Sequence, residues 1–175
     1  SVEDEVREVA KKIRRILEKL KRELDRHSKK IEDILEEIRD KNEKAKEEIE
    51  EVLRRRLDEE IKREVKRLEE RLDEVSDKTR RAVEELIRNN ERVVREVERV
   101  VRELIEILKE VLRKGGKEDV ERVKRELEKV LRELAEEVRE SLERVSEVAE
   151  RLKRENDEVN DRLKKMLEDL LRKAT

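Results

Sequence analysis

The chain has 175 residues, 58% of them charged and 33% hydrophobic, with 50 basic against 52 acidic side chains and a net charge of −2. It has no aromatic residue, no proline and no cysteine, and its two glycines are adjacent. This composition excludes a disulfide framework, a thiol nucleophile and a Cys-based zinc site. The close interleaving of opposite charges leaves no basic stripe of the kind that grips nucleic acid.

No run approaches the ~18 consecutive apolar residues of a membrane span. The first residues, SVEDEVREVA, have neither the basic region nor the apolar stretch of a signal peptide. The expectation is a soluble chain with no native compartment, cytoplasmic on recombinant expression. A core without aromatics is built from Leu, Ile, Val and Ala, which suits thin layers of helix on helix and reads as all-α.

In chain order, Ser1 with Asp4 three residues on resembles a capping box. From Val2 an apolar seam advances in steps of three or four. It passes through Ile13, Leu24, Ile38, Leu53, Leu57, Ile61, Val65, Leu72, Val97 and Leu104 to Val111. Its mean period is about 3.6 residues, that of an unstrained helix. No phase jump demands a loop, so the seam predicts one very long helix over about 2–114, roughly 170 Å at ~1.5 Å per residue. The stripe is narrow between Leu53 and Val75. It is broad from Val93 to Leu112, wide enough to touch at least two neighbours.

The one strong breaking signal is RKGGKED around Gly115-Gly116. Gly115 is expected to take the left-handed conformation that ends a helix, with Asp119 as the N-cap of the next. A shorter helix over about 118–174 then returns antiparallel, its seam running from Val120 through Leu127, Leu134, Val145, Leu152, Val159 and Met166 to Ala174.

Small polar residues interrupt the seams: His27, Ser28, Asn42, Ser76, Thr79, Asn89, Asn90, Ser141, Ser146, Asn156 and Asn160. About the glycine turn, Asn90 lies opposite Ser141 and Ser76 opposite Asn156. Within the long helix the polar positions are nearly palindromic, His27 against Asn90 and Asn42 against Ser76, about a centre near residue 58. A buried polar group without a partner is costly, so matched polar layers are what a satisfied core requires. One layer is expected to combine His27 of one copy with Asn90 and Ser141 of another, the next Asn42 with Ser76 and Asn156 in the same way, with Thr79, Asn89 and Asn160 as further candidates.

The palindrome suggests a two-fold axis between two antiparallel copies. Residues 1–56 would then overhang a hairpin of 57–175 and find their apolar neighbour on another subunit, because an unpaired stripe is neither stable nor soluble. The expected partner is a second copy, as a homodimer or a higher dihedral oligomer. A binding module whose overhang docks onto a different chain is the alternative. A compact four-helix monomer with hidden turns near Lys41-Asn42 and Ser76–Thr79 is a third reading.

Chemistry is not expected. His27 is the only histidine, with no cluster of ligating side chains on its face, and reads as a hydrogen-bonded core residue rather than a metal ligand or pH switch. Carboxylate pairs at i, i+4 read as solvated faces, and no glycine-rich phosphate loop follows a strand. No cofactor, metal, small-molecule ligand, nucleic acid or membrane partner is expected, and the chain does not read as an enzyme.

The surface vocabulary of Glu, Arg and Lys, as in EEVLRRRLDEEIKREVKRLEERLDE, resembles that of de novo designed parametric helical bundles with buried hydrogen-bond networks. So do the Leu/Ile/Val core and the Ser, Thr, Asn and His in discrete core positions. The resemblance covers the whole chain and implies a straight bundle, symmetric self-assembly and no catalytic residues. The unequal helix lengths depart from the matched helices common in that family.

Overall fold

The computed structural model describes residues 2–174, which form three α-helices: α1 Val2–Leu53, α2 Glu59–Lys114 and α3 Lys117–Ala174. The all-α class stands. The single helix over 2–114 does not, because the chain turns at 54–58. The suggested capping box involves Ser1 and lies outside the described residues. No turn occurs at Lys41-Asn42 or at Ser76–Thr79, where α1 and α2 are continuous.

The turn at 54–58 has a clear chemical basis. Arg54 and Arg55 donate their amides to the carbonyls of Glu51 and Val52, at 3.2 and 3.1 Å, tightening the end of α1 into i→i−3 bonds. Asp58 then accepts the first bond of α2, from the Lys62 amide at 2.9 Å. Asp is a favoured residue at that position, and Glu59 and Glu60 follow in the first turn, where the helix dipole attracts negative charge.

At the second turn neither glycine has a positive φ. The left-handed cap expected at Gly115 is therefore replaced by a helical bond: its amide donates to the Val111 carbonyl at 2.8 Å. Gly116 accepts from Val120 at 3.2 Å, so it, rather than Asp119, occupies the N-cap position of α3. Asp119 sits inside the first turn beside Glu118. A Cβ on Gly115 would lie 2.9 Å from the Val111 carbonyl oxygen, while one on Gly116 would meet nothing within 4 Å. Gly115→Ala is accordingly expected to cost more than about 1 kcal/mol. Gly116→Ala should stay within about 0.5 kcal/mol of the parent, chain-entropy gain offsetting a poorer cap. Urea denaturation of the two variants checks the contrast.

The chain divides into two compact units. The first, Ser1–Lys29 with Arg88–Val145, joins the start of α1 to the α2–α3 hairpin. Its core holds Val9, Ile13, Leu20 and Leu24 of α1, Val97 and Leu108 of α2, and Leu127, Leu131 and Val138 of α3. The second, Lys30–Ile87 with Ser146–Thr175, contains the α1–α2 turn and a core of Ile49 and Val52, Val65 and Leu72, and Leu163 and Leu167.

In both units α1 packs on α2 and α3 of its own chain. The expected overhang of residues 1–56 thus finds its apolar neighbours within the chain, through the turn that the continuous seam concealed. Within the first unit Glu23 and Arg139 meet across an offset of 116 residues, and Lys12 meets Glu128 at the same offset, so α1 and α3 run parallel. Lys21 reaches Glu98 across an antiparallel α1–α2 pair. The second unit repeats both relations, with Lys41–Asp157 and Glu37–Lys153 parallel and Lys46–Asp73 antiparallel.

Candidate functional site: polar layers and an open helix face

Two groups of polar side chains interrupt the cores. In the second unit Asn42, Asn156 and Asn160 are buried among aliphatic residues, Asn156 at 1% exposure. Asn42 and Asn156 exchange reciprocal amide hydrogen bonds of 3.2 and 3.1 Å. Asn160 donates to the Asn42 side-chain oxygen at 2.7 Å and to the Asn156 carbonyl at 3.0 Å. The i, i+4 spacing of Asn156 and Asn160 puts both on one face of α3, astride Asn42 of α1. Ser76 lines the α1–α2 cleft beside Asn42 but is only half-buried, and Thr79 is buried one turn further along α2.

In the first unit Asn90 is 2% exposed. It donates to the Leu24 carbonyl at 3.4 Å and to the Ser28 hydroxyl. Ser28, the neighbour of His27, thus shares a layer with Asn90, although sequence spacing had not assigned it to one. His27 and Ser141 are half-buried. Asn89 is half-buried and accepts from Arg92 at 3.2 Å, on the helix surface.

The helix edges show a sharper pattern. Seven ion pairs cross between helices among the described residues, and each has one member on α1. Three reach α2 and four reach α3. None joins α2 to α3. In the Lys46–Asp73 pair, the hydrogen bond and charge of Asp73 raise the lysine above its ordinary pKa, and Glu37 does the same for Lys153. These pairs are exposed and screened by solvent, so each contributes little to stability. Their value is as markers of which edges are closed by charge.

The α2–α3 edge is apolar instead. On α2 of the first unit, Val97, Leu104 and Leu108 point into the core, and Glu98 flanks them on the side of α1. Val93, Val100 and Ile107 recur every seven residues on the opposite flank. On α3, Glu128 and Arg139 face α1, and Val123 and Val130 occupy the flank away from it. Antiparallel pairing through the glycine turn sets these two rows side by side. Val93, Val100 and Val123 are half-buried, whereas Ile107 and Val130 are 46% and 40% exposed. In the second unit the corresponding flank of α3 carries Val159, half-buried, and Met166, 44% exposed.

Among the described residues no group of three or more His, Cys, Asp or Glu could hold a metal ion, and no helix is long and apolar enough to cross a membrane. No family model matches the chain, and no curated protein or solved structure was found to be similar to it.

Proposed function

We propose that the chain is a designed structural module that acts by helix–helix association. Three helices form a scaffold whose register is held by the asparagine layers, and its α2–α3 face is left for a further helix. The observation that carries this reading is the distribution of charge: ion pairs flank the two edges made by α1, and the third edge offers Val100, Ile107, Val123 and Val130 instead. Apolar flank positions at seven-residue spacing are the pattern by which one helix receives another. Of these, Ile107 and Val130 stay exposed on a surface otherwise dense in charge, apolar area that a packed helix would cover. The surface vocabulary of Glu, Lys and Arg and the aromatic-free core support a designed origin. The overhang of residues 1–56 is not needed for association, because the stripe of α1 is already covered.

The joint substitution Ile107→Glu with Val130→Glu tests the reading. It is expected to leave thermal stability within about 0.5 kcal/mol of the parent, as for other exposed positions, and to abolish any association between molecules. Val97→Glu, which buries a charge at a site 1% exposed, should unfold the first unit. The reading fails if the double variant loses stability as a core substitution does, or if sedimentation shows assembly persisting unchanged.

A further inference from the structure

The turn at 54–58 is made of residues that can also continue a helix. Unlike the second turn it holds no glycine, and its Arg-Arg-Arg-Leu run consists of good helix formers. Leu53, Leu57 and Ile61 stand four residues apart, so a helix run straight through the turn keeps them on one face, in phase with the stripes of α1 and α2. The charges are spaced for the same helix. Glu50–Arg54, Glu51–Arg55, Arg55–Glu59 and Arg56–Glu60 are opposite charges at i, i+4. In the closed turn Arg54, Arg55 and Arg56 are exposed, and none of them makes an ion pair among the described residues.

The register of α1 on α2 agrees with this. The residue numbers of the Lys21–Glu98 and Lys46–Asp73 pairs each sum to 119, those of Ser28 and Asn90 to 118, and those of Arg39 and Glu84 to 123. The antiparallel pair is therefore centred at about residue 60, beside the turn itself. Two copies of an unbroken α1–α2 helix, set antiparallel about a two-fold axis at that residue, bring each of these side chains opposite the same partner residue, now on the other chain.

We infer that the turn is a hinge and that the chain has a second form, a dimer in which two copies exchange α1 through it. With the hinge straightened, α1 of one copy packs on α2 and α3 of the other. The asparagine layer then takes Asn42 from one chain and Asn156 and Asn160 from its partner. The contacts that α1 makes in the closed chain are kept and only the turn is remade, which is why such exchange is a low-cost route to dimers. The closed form holds at low concentration, and the exchanged form gains with concentration by mass action. A folded closed chain converts only by unfolding, because α1 has to leave both cores. The α2–α3 face takes no part.

The test refolds the full chain from urea at about 1 µM and at about 1 mM. The dilute sample should be monomeric. The concentrated one should contain a dimer, separable by gel filtration, that outlasts dilution. When spin-labelled Lys46→Cys and Asp73→Cys chains are refolded together at the higher concentration, the dimer should show a between-chain distance below about 20 Å, that of packed helices. Glu59→Pro separates the two forms. Position 59 follows the Asp58 cap, where proline is accepted at the start of α2, but the same proline lies inside the straightened helix. It should leave the monomer's melting curve in place and cut the dimer yield at least about tenfold. Asp58→Ala removes the cap that only the closed turn uses, and should raise the yield. The inference is overturned if the parent and Asp58→Ala both refold only as monomer at the higher concentration. It is equally overturned by a dimer whose labels stay far apart, or whose yield Glu59→Pro leaves unchanged. If the only dimer is one that Ile107→Glu/Val130→Glu abolishes, this inference falls and association through the α2–α3 face stands. Protein purified as the monomer and never unfolded holds only the closed form, so its sedimentation reads that face alone.

Discussion

Replacing Asn156 alone by leucine is expected to cost about 1–3 kcal/mol, whereas replacing Asn42, Asn156 and Asn160 together by leucine should recover that loss or exceed the parent. Asn156 is 1% exposed and gives Asn42 both a donor and an acceptor. Removing it leaves the buried Asn42 amide without its acceptor in a largely aliphatic layer, and the unmet desolvation is what costs free energy. Removing all three leaves nothing unsatisfied and adds apolar burial. If the layer's role is to fix register, the triple variant should be more stable yet less uniquely paired, because a slip of α3 along α1 no longer strands a polar group. Urea denaturation of the single and triple variants gives the energies. The sharpness of amide resonances in the triple variant reports the loss of a single register.

A comparable loss is expected from Leu24→Ala, about 2–5 kcal/mol. Leu24 is fully buried in the core of the first unit, one turn from Ser28, and its carbonyl accepts from Asn90. The substitution removes the apolar side chain and keeps that acceptor, so the cost is transfer and cavity without a broken hydrogen bond. Leu112→Ala is the control: at 38% exposure it should cost well under about 1 kcal/mol. Two-state urea curves for the pair separate packing from a general effect of lost helix side chains.

The helices themselves were legible because a 3.6-residue stripe and dense Glu, Lys and Arg leave little else for the backbone to do. The glycine turn was legible from Gly115-Gly116, though Gly115 ends α2 through an ordinary helical amide bond rather than a left-handed cap. The turn at 54–58 was hidden for two reasons. It contains neither glycine nor proline, and Leu53, Leu57 and Ile61 keep the seam's four-residue step straight through it. The signal that could have found it is chemical: Arg54-Arg55-Arg56 followed by Asp58-Glu59-Glu60 repeats the order at the second turn, cations, break, then acids. The near-palindrome of polar residues about residue 58 was a real feature whose meaning differs. It coincides with the bend of an antiparallel α1–α2 pair within one chain. Asn42 and Asn156, which the spacing sets in one layer between two copies, bond each other within one chain. Asn160 joins them because one helical turn carries it onto the same face, while Ser76 stays in the adjoining cleft.

The folding back of α1 on its own chain is tested most directly by paired spin labels at Lys46 and Asp73, where the two side chains now meet at 3.2 Å. Labelled protein is refolded in excess unlabelled protein, so that only distances within one molecule survive. The fold described here predicts a short distance, below about 20 Å for helices packed 8–10 Å apart with label arms added, that persists undiminished at high dilution. An unbroken helix would instead separate the labels by about 40 Å at ~1.5 Å per residue. A short distance that disappears on dilution and leaves only the longer one would contradict the account.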